Sequence, residues 1–241
     1  MLIREKNAGK KPPCRPPPEF QNSNPEIPFV IGGRFRVNSA VMAVNDACNL
    51  IFTLRSIVEP LDLAELFPKK QPLEVELGCG DASFLIEYAR RHPERNFIGV
   101  ERLLGRMRKL DRKGRRASLV NLRGVRIESS YFLQYLLPAH TAPALHVYFP
   151  DPWPKKKQQK IRLVNGSFPA LARRALTPGG VVYLRTDDAD YFQRMTEVFG
   201  ADRNFQQIET PAELVELPTD FERDFNSRGI QTLRAAYSME F

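Results

Sequence analysis

Short apolar runs and longer amphipathic segments alternate along the chain from residue 73 onward. Short apolar runs are typical of buried strands, and apolar residues three or four positions apart are typical of helices that bury one face. The predicted strands are residues 73–77, 96–100, 122–127, 144–149 and 181–185, and the predicted helices are residues 83–91, 103–116, 131–137, 165–175 and 190–199. This alternation predicts an α/β fold with a doubly wound, mostly parallel sheet and helices on both faces. A further extended stretch after residue 205, a polar segment at 219–228 and a strand-like run at 230–239 follow.

The N-terminal part of the chain has a different pattern. Seven prolines lie among the polar and charged residues of positions 1–37, which predicts an extended or disordered leader. Residues 38–59 carry apolar side chains at helical spacing, and Pro60 would end such a helix. The sequence therefore predicts a leader at 1–37, a helical lead-in at 38–62 and one main domain at 63–241.

Composition excludes several classes of protein. Hydrophobic residues at 42% and charged residues at 27% exclude a wholly disordered, collagen-like or coiled-coil chain. No apolar run approaches the ~20 residues of a membrane span, and the first residues lack the apolar stretch of a secretory signal. We therefore expect a cytoplasmic protein with no membrane partner. Three scattered cysteines are too few for a disulfide framework or a Cys-rich zinc site, so we expect free thiols and no metal.

Positive charge is concentrated in two stretches. The chain has 36 Lys and Arg against 28 Asp and Glu, a formal net charge of +8. Residues 102–126 contain a single acid, Asp111, among many cations, and residues 155–174 contain cations and no acid. A basic protein without such a partner is the alternative, but clustered cations favour a polyanion, because phosphate contacts need concentrated positive charge.

The first predicted strand runs into a glycine turn at Gly78 and Gly80. Glycines permit a tight turn and close approach of a ligand to the backbone. Ser83 stands where a dinucleotide fingerprint has its third glycine, which disfavours pyrophosphate. Glu76 would repel a pyrophosphate and suits a ligand with an amino group or a sulfonium; the alternative is a carboxylate that only caps or pairs at the strand end.

The next two strands also end in acids. Glu101 lies 23 positions after Gly78, close to the roughly 20 expected of an acid that binds ribose hydroxyls. A surface acid is the alternative for Glu101. Glu128 ends the third strand, where it could contact an adenine amino group.

The fourth strand runs into a proline-rich loop that holds Asp151 and Trp153 and continues into three lysines from Lys155. Prolines make this loop rigid and place it above the carboxyl edge of the sheet. A purely structural turn is the alternative, and Trp153 could either stack on a base or pack under the loop. Asp187 follows the fifth strand, where it could serve the site or cap the next helix.

Together these segments resemble the tRNA (guanine-N7-)-methyltransferase family over roughly residues 63–241. The matching segments, in the family's order, are Glu76-Leu77-Gly78-Cys79-Gly80, Gly99-Val100-Glu101, Phe149-Pro150-Asp151-Pro152-Trp153-Pro154-Lys155, Thr186-Asp187 and Thr219-Asp220-Phe221-Glu222. Two residues depart from the family pattern: Ala82 stands where many members have a glycine, and Glu128 where an aspartate is usual.

The resemblance implies a Rossmann-like domain that uses S-adenosylmethionine to methylate N7 of a guanine in tRNA, usually at position 46 of the variable loop. It implies a cofactor site and a guanine and tRNA site. The implied cofactor residues are Glu76, Gly78, Gly80, Glu101, Glu128 and Asp151, and the implied substrate residues are Lys155, Asp187, Thr219 and Glu222.

Guanine N7 carries an in-plane lone pair, so the transfer needs no strong general base. It needs alignment of N7 with the methyl group and tolerance of the positive charge that develops on the purine. Our hypothesis is that Asp151 is the catalytic residue and, helped by Asp187 or Glu222, accepts hydrogen bonds from the guanine N1–H and 2-amino group.

Three other functions compete with this reading. The first is a methyltransferase of the same fold that acts on a protein or a small molecule, and the second is a basic RNA-binding protein with an inactive cofactor pocket. The third is a nicotinamide oxidoreductase, disfavoured by Ser83 and Glu76. The oligomeric state stays open between a monomer and a homodimer.

Overall fold

Eight strands form one sheet in the computed structural model, which describes residues 49–240. The predicted leader at 1–37 lies outside the described residues. The strands are β1 (Ile51–Phe52), β2 (Leu73–Leu77), β3 (Asn96–Val100), β4 (Leu122–Val125), β5 (Ala142–Tyr148), β6 (Leu176–Thr186), β7 (Phe205–Ile208) and β8 (Leu233–Met239). Their order across the sheet is β1-β4-β3-β2-β5-β6-β8-β7.

The direction of winding reverses between β2 and β5. The chain passes from β2 outward to β3 and β4, and then returns to place β5 and β6 on the other side of β2. All pairs from β1 to β6 are parallel, and β8 pairs antiparallel with both β6 and β7. The predicted Rossmann-like, mostly parallel sheet is confirmed. Such a reversal opens a crevice at the carboxyl ends of the strands, which is where ligands bind in this architecture.

Helices cover the two faces of the sheet and form the crossover connections between the parallel strands. They are α1 (Leu63–Leu66), α2 (Ser83–Arg91), α3 (Leu104–Arg116), α4 (Ser129–Tyr131), α5 (Phe168–Ala175), α6 (Ala189–Gly200), α7 (Ala212–Glu216) and α8 (Asp220–Ser227), with a π-helical turn at Phe132–Leu136 and a 3₁₀ helix at Lys156–Ile161. In α2 the buried residues Phe84, Leu85, Tyr88 and Ala89 recur at helical spacing, so one face packs and the other stays polar.

Buried side chains form two apolar clusters. One contains Leu73, Val75 and Leu77 of β2 together with residues of α5 and α6, and the other contains Phe97 of β3 with residues of α2 and α3. Alternate residues of a strand point to opposite faces of the sheet, so the two clusters correspond to its two covered faces. This packing fixes the strand ends that carry the candidate site.

The predicted helical lead-in is wrong over the residues that the structure describes. No helix occurs between residues 49 and 62, where Ile51–Phe52 instead form β1 at the edge of the sheet. The Gly124 N–H donates to the Leu50 carbonyl at 2.8 Å, and the Leu50 N–H donates to Asp111 at 3.0 Å. Pairing with the open edge of β4 therefore overrides the local helical spacing. Residues 38–48 lie outside the described part.

Residues 49–240 contain no helix with the length and apolar character needed to cross a membrane.

Candidate functional site

A cavity of about 260 Å³ lies at the carboxyl edge of the sheet, at the reversal between β2 and β5. It is bordered by the segments after β2, β5 and β6 and by the start of α8. Among the predicted site residues, Glu76, Gly78, Gly80, Asp151, Asp187 and Thr219 line it. The structure therefore brings together side chains from four separate segments, spread over more than 140 residues of sequence.

The turn after β2 wraps over the end of β3. The N–H groups of Gly78 and Cys79 both donate to the Val100 carbonyl, at 2.8 and 2.9 Å. Gly78 has φ +75° and Gly80 has φ +56°, values that favour glycine. Ala82 also lies in this left-handed region, with φ +58°, at a cost of about 1 kcal/mol for a residue with a Cβ. The departure of Ala82 from the family glycine thus leaves the turn intact but strained.

The carboxyl group of Glu76 is buried and faces this cavity. Its side-chain oxygen Oε2 has no hydrogen-bond partner among the described residues. Burial raises the pKa of Glu76 to about 8, with Asp81 and Glu101 adding to the rise and Arg185 opposing it. A buried oxygen without a partner is costly, so its presence at a cavity wall indicates that a ligand donor meets it.

Glu101 and Glu128 hold backbone groups at the adjoining strand ends. Glu101 accepts hydrogen bonds from the N–H of Gly80 at 3.2 Å and of Leu103 at 2.8 Å. Glu128 is exposed and caps α4, accepting from the N–H of Ser130 at 2.9 Å and of Tyr131 at 2.7 Å. Neither carboxylate borders the cavity that Glu76 faces, but the bond to Gly80 places Glu101 against the glycine turn that does. Among the described residues, no hydrogen bond joins Glu128 to the other predicted cofactor residues. Each oxygen keeps a lone pair for a further donor.

The loop after β5 presents Asp151 to solvent at the cavity rim. Phe149 has φ +50° and Trp153 has φ +43°, so two bulky residues in left-handed conformations bracket Asp151. Such conformations cost about 1 to 3 kcal/mol each and persist only where surrounding contacts impose them. Trp153 is half-buried. The loop is therefore held in one shape rather than left free to vary.

Arg162 holds this loop from behind. Its Nε donates to the Pro152 carbonyl at 2.6 Å and its Nη2 to Asp190 at 2.6 Å, and its guanidinium lies 4.6 Å from the centre of the Tyr191 ring. The side chain is buried. This role of Arg162 could not be predicted from the sequence, because Arg162 lies within a cationic stretch and has no distinguishing motif around it.

Asp187 does not cap the next helix, so its carboxylate is available to a ligand in the cavity. Asp188, not Asp187, accepts the N–H of Tyr191 at 2.7 Å as the N-cap of α6. Asp187 is exposed and lines the cavity. The capping alternative therefore applies to Asp188.

Glu222 does not reach the cavity, which corrects the hypothesis that it contacts the guanine. Its side chain is fully buried and accepts from Arg185 at 2.7 Å, from Arg234 at 2.6 Å and from the Thr219 N–H at 2.9 Å. Thr219 in turn accepts the Glu222 N–H at 3.0 Å, which completes a capping box at the start of α8. Glu222 thus fixes α8 beside the cavity while Thr219 borders it.

A second buried polar network lies beneath the cavity. His146 contacts Glu74 at 2.7 Å through Nε2 and the Tyr148 hydroxyl at 2.8 Å through Nδ1. Burial raises the pKa of Glu74, but His146 and Arg95 outweigh it and leave that pKa lowered. Burial raises the pKa of Tyr148, so its phenol stays neutral at the cavity wall. This network could not be predicted from the sequence, because Glu74 of β2 lies 72 positions from His146 of β5 and the pairing of those two strands is not visible in the sequence.

The cationic stretches divide into internal and exposed residues. Arg173 pairs with Asp202 at 2.8 Å, and Arg174 donates to the carbonyls of Leu133 and Leu137. The exposed cations include Lys155, Lys156 and Lys157 in the segment after the Asp151 loop and Arg108, Lys109, Arg112 and Arg116 on α3. Only part of each cationic stretch is therefore exposed and available to a polyanion: the lysines after the Asp151 loop in one stretch, and one face of α3 in the other.

Comparison with known proteins identifies the family. Residues 70–235 match a family model described as "Putative methyltransferase". A tRNA (guanine-N(7)-)-methyltransferase of Halorhodospira halophila is 33% identical over 74% of this chain and 80% of its own length, and one of Nitrosococcus oceani is 31% identical over 76% of each chain. The chain belongs to the tRNA (guanine-N(7)-)-methyltransferase family. The resemblance drawn from the strand-end motifs is confirmed.

Other members of the family are matched over less of their length. The chain spans 61% of the relative from Syntrophotalea carbinolica, at 36% identity over 58% of this chain. It spans 56% of the relative from Thermotoga maritima, at 32% identity over 72% of this chain.

Solved structures support the fold. The 16S rRNA methyltransferase KamB aligns with a TM-score of 0.52 and 19% identity over 76% of this chain and 95% of its own. A 30S ribosomal A1408 methyltransferase from an uncultured bacterium aligns with a TM-score of 0.52 and 16% identity over 78% of this chain and 98% of its own. Both are methyltransferases, consistent with the Rossmann-like sheet.

Proposed function

We propose that this protein transfers the methyl group of S-adenosylmethionine to N7 of a guanine in tRNA, at position 46 of the variable loop. One observation carries the proposal: the unpartnered, buried oxygen of Glu76 opens onto the same cavity as Asp151 and Asp187. A site for a cationic ligand and a site for a hydrogen-bond-donating base edge thus adjoin. The family membership supports the choice of guanine N7 and tRNA.

The residues present fit the cofactor. Glu76 would accept a hydrogen bond from the amino group of S-adenosylmethionine, and the turn at Gly78 and Gly80 would let the cofactor approach the backbone. Glu101 would accept from the ribose hydroxyls with its remaining lone pairs, and Glu128 is proposed for the adenine amino group. When bound, S-adenosylmethionine supplies a methyl group activated by a positively charged sulfur.

Asp151 and Asp187 orient the base in this proposal. Both are exposed carboxylates at the cavity rim, on loops that follow the neighbouring strands β5 and β6. They would accept hydrogen bonds from guanine N1–H and its 2-amino group, and their negative charge would stabilise the cation that forms as N7 gains the methyl group. No base removes a proton before transfer, because the N7 lone pair is already available.

The exposed cations would hold the RNA backbone. Lys155 begins the lysine run directly after the Asp151 loop, so phosphate contacts there would place the target nucleotide beside the cavity. Contacts of this kind position a nucleic acid without reading its sequence. The basic face of α3 would provide a second set of contacts.

The test uses purified protein with unmodified tRNA and S-adenosylmethionine labelled on its methyl group. Digestion to nucleosides should yield labelled 7-methylguanosine, and mapping of the modified site should place it at position 46. The Asp151→Ala variant is the matched control and should yield almost none. Label in protein extract instead of tRNA would identify another substrate, and calorimetry without heat on cofactor addition would identify a protein that only binds RNA.

A further inference from the structure

Phe221 is an exposed aromatic ring at the wall of the cavity. It is the second residue of α8, and 48% of its surface is accessible. Its ring borders the cavity together with Asp151, Asp187 and Thr219. Phe149 and Phe225 border the same cavity, so Phe221 is the exposed member of an aromatic patch. Contiguous apolar patches beside a cleft mark ligand-binding surfaces, whereas a single exposed apolar side chain does not.

The ring lies between the two halves of the site. The N–H of Asp220 donates to the Ser83 hydroxyl at 3.1 Å, which ties the start of α8 to the helix after the glycine turn. On the other side, the Phe221 ring centre lies 6.3 Å from that of Phe149, at the start of the Asp151 loop. A base that receives a methyl group must occupy this same boundary.

The surrounding structure holds the ring in place. Its neighbour Glu222 is fully buried in contacts with Arg185 and Arg234. The Phe225 ring lies behind it, one helical turn later, at 6.4 Å between centres. Because the backbone of Phe221 is fixed before any ligand arrives, little conformational freedom is lost when a flat ring packs on it.

We propose that Phe221 is the stacking surface for the target guanine, so that the base lies on its ring while Asp151 and Asp187 hold its edge. This inference rests on the proposed function. Enzymes that act on a base commonly take it out of its helix, and an aromatic side chain then replaces the lost stacking.

The topology separates this ring from the adenine of the cofactor. The residues proposed for the ribose and adenine, Glu101 and Glu128, follow β3 and β4 on one side of β2. Phe221 instead borders the loops after β5 and β6, on the opposite side. Its substitution should therefore affect the base and leave cofactor affinity unchanged.

The experiment compares Phe221→Leu and Phe221→Tyr with the unchanged protein. Leucine keeps an apolar side chain and loses the aromatic face, whereas tyrosine keeps the face. The measurements are kcat/KM for 7-methylguanosine formation in unmodified tRNA, the Kd for S-adenosylmethionine and the Tm. Tyr135→Leu is the matched control, since Tyr135 is also an exposed aromatic residue, 44% accessible, on the π-helical turn.

Phe221→Leu should lower kcat/KM by about 10- to 100-fold with an unchanged cofactor Kd, whereas Phe221→Tyr and Tyr135→Leu should stay within about threefold of the unchanged protein. Normal kcat/KM in Phe221→Leu overturns the inference and leaves the proposed function standing. A parallel loss of cofactor affinity also overturns it, because the ring then contacts the cofactor. If the unchanged protein makes no 7-methylguanosine, the proposed function fails and this inference with it. If Phe221→Leu also lowers the Tm, the Phe221→Tyr variant decides between the two roles. An equal loss of kcat/KM in Phe221→Tyr would show a structural role and overturn the inference.

Discussion

Arg185 and Glu222 form a 2.7 Å ion pair in which both side chains are almost completely buried. Arg185 belongs to β6 and Glu222 to α8, so the pair joins the sheet to the helix that borders the cavity. The same guanidinium donates to the carbonyls of Leu217 and Leu214, and it lies 4.0 Å from the centre of the Tyr148 ring. One side chain therefore fixes the whole segment that carries Thr219 and Phe221.

Removal of Glu222 should destabilise the protein strongly. Glu222→Ala leaves two arginines near a buried site without their carboxylate, and we expect a loss of about 3 to 5 kcal/mol in the free energy of unfolding. Urea unfolding followed by circular dichroism measures it. Glu216→Ala, at an exposed residue of α7, is the control and should change the free energy of unfolding by less than about 0.5 kcal/mol. Equal stability of the two variants would show that the pair does not support the fold.

Asp151→Ala should abolish most of the activity and preserve the fold. The side chain is exposed, so its loss removes no packing, but the developing charge on the purine loses its stabilising carboxylate. We expect turnover to fall by about 100- to 1000-fold, measured as the initial rate of 7-methylguanosine formation. Circular dichroism and tRNA affinity should change little. Near-normal turnover would remove Asp151 from the catalytic role.

Affinity for the cofactor should depend on pH through Glu76. Its pKa of about 8 means that the free protein holds a neutral carboxyl at pH 7, whereas pairing with a ligand ammonium requires the carboxylate. Binding therefore releases a proton, and affinity should rise by up to about tenfold per pH unit between pH 6 and 8. Above that range the amino group of the ligand loses its own charge, so affinity should pass through a maximum near pH 8.

Calorimetry in two buffers of different ionisation enthalpy counts the released proton. Glu76→Gln carries no titrating group and should bind more weakly, without the rise from pH 6 to 8. Proton uptake, or the same pH profile in both proteins, would contradict the assignment of Glu76 to the amino group.

Arg162 should act on catalysis through the position of Asp151. Loss of its bond to the Pro152 carbonyl frees the loop, and a small displacement of an orienting group is enough to lower the rate by about 10- to 100-fold. In a double-mutant cycle, Arg162→Ala should lower kcat in the unchanged protein and have almost no further effect in Asp151→Ala. Arg173→Ala is the control, because it breaks a comparable ion pair with Asp202 elsewhere. Additive effects of Arg162→Ala and Asp151→Ala would show that Arg162 only supports the fold.

Neutralising the lysine run should reduce the salt dependence of tRNA binding. Replacement of Lys155, Lys156 and Lys157 by alanine should lower the slope of log K against log salt by about 2 to 3, because each phosphate contact contributes about 0.7 to 0.9. Filter binding across a series of salt concentrations gives the slope. Lys69→Ala with Lys70→Ala, two exposed lysines before β2, is the control and should leave it unchanged. A slope that does not change in the triple variant would show that these lysines face solvent.

Local pattern predicted the central elements well. The bounds of β2, β3 and α2 agree with the structure, because each is an apolar or amphipathic run bounded by clear breaks. The antiparallel β7 and β8 could be recognised as extended runs but not oriented, since direction depends on partners distant in sequence. The helix predicted over residues 49–59 was wrong for the same reason. The helical spacing of this segment is a local feature, whereas its pairing with β4 depends on residues distant in the chain.

The motifs predicted the location of the site better than the role of each residue in it. Glu76, Asp151 and Asp187 could be placed because the carboxyl ends of neighbouring parallel strands meet at one edge. The burial of Glu222 could not be predicted, because Arg185 and Arg234 lie in strands that the sequence does not show to be adjacent. Arg162 was hidden for a related reason, since a buried arginine and an RNA-binding arginine look alike in a basic run.

The left-handed conformations of Phe149 and Trp153 on either side of Asp151 bear on how the rate is achieved. Their unfavourable energy is incurred when the chain folds, and packing and the Arg162 contact offset it at that stage. In the proposed reaction the Asp151 carboxylate is therefore held in place before tRNA binds, and binding energy remains available for moving the target nucleotide out of its loop. The strained turn lowers the thermal stability of the protein and favours a fast reaction. We therefore expect variants that relax this turn to have a higher Tm and a lower turnover number than the unchanged protein.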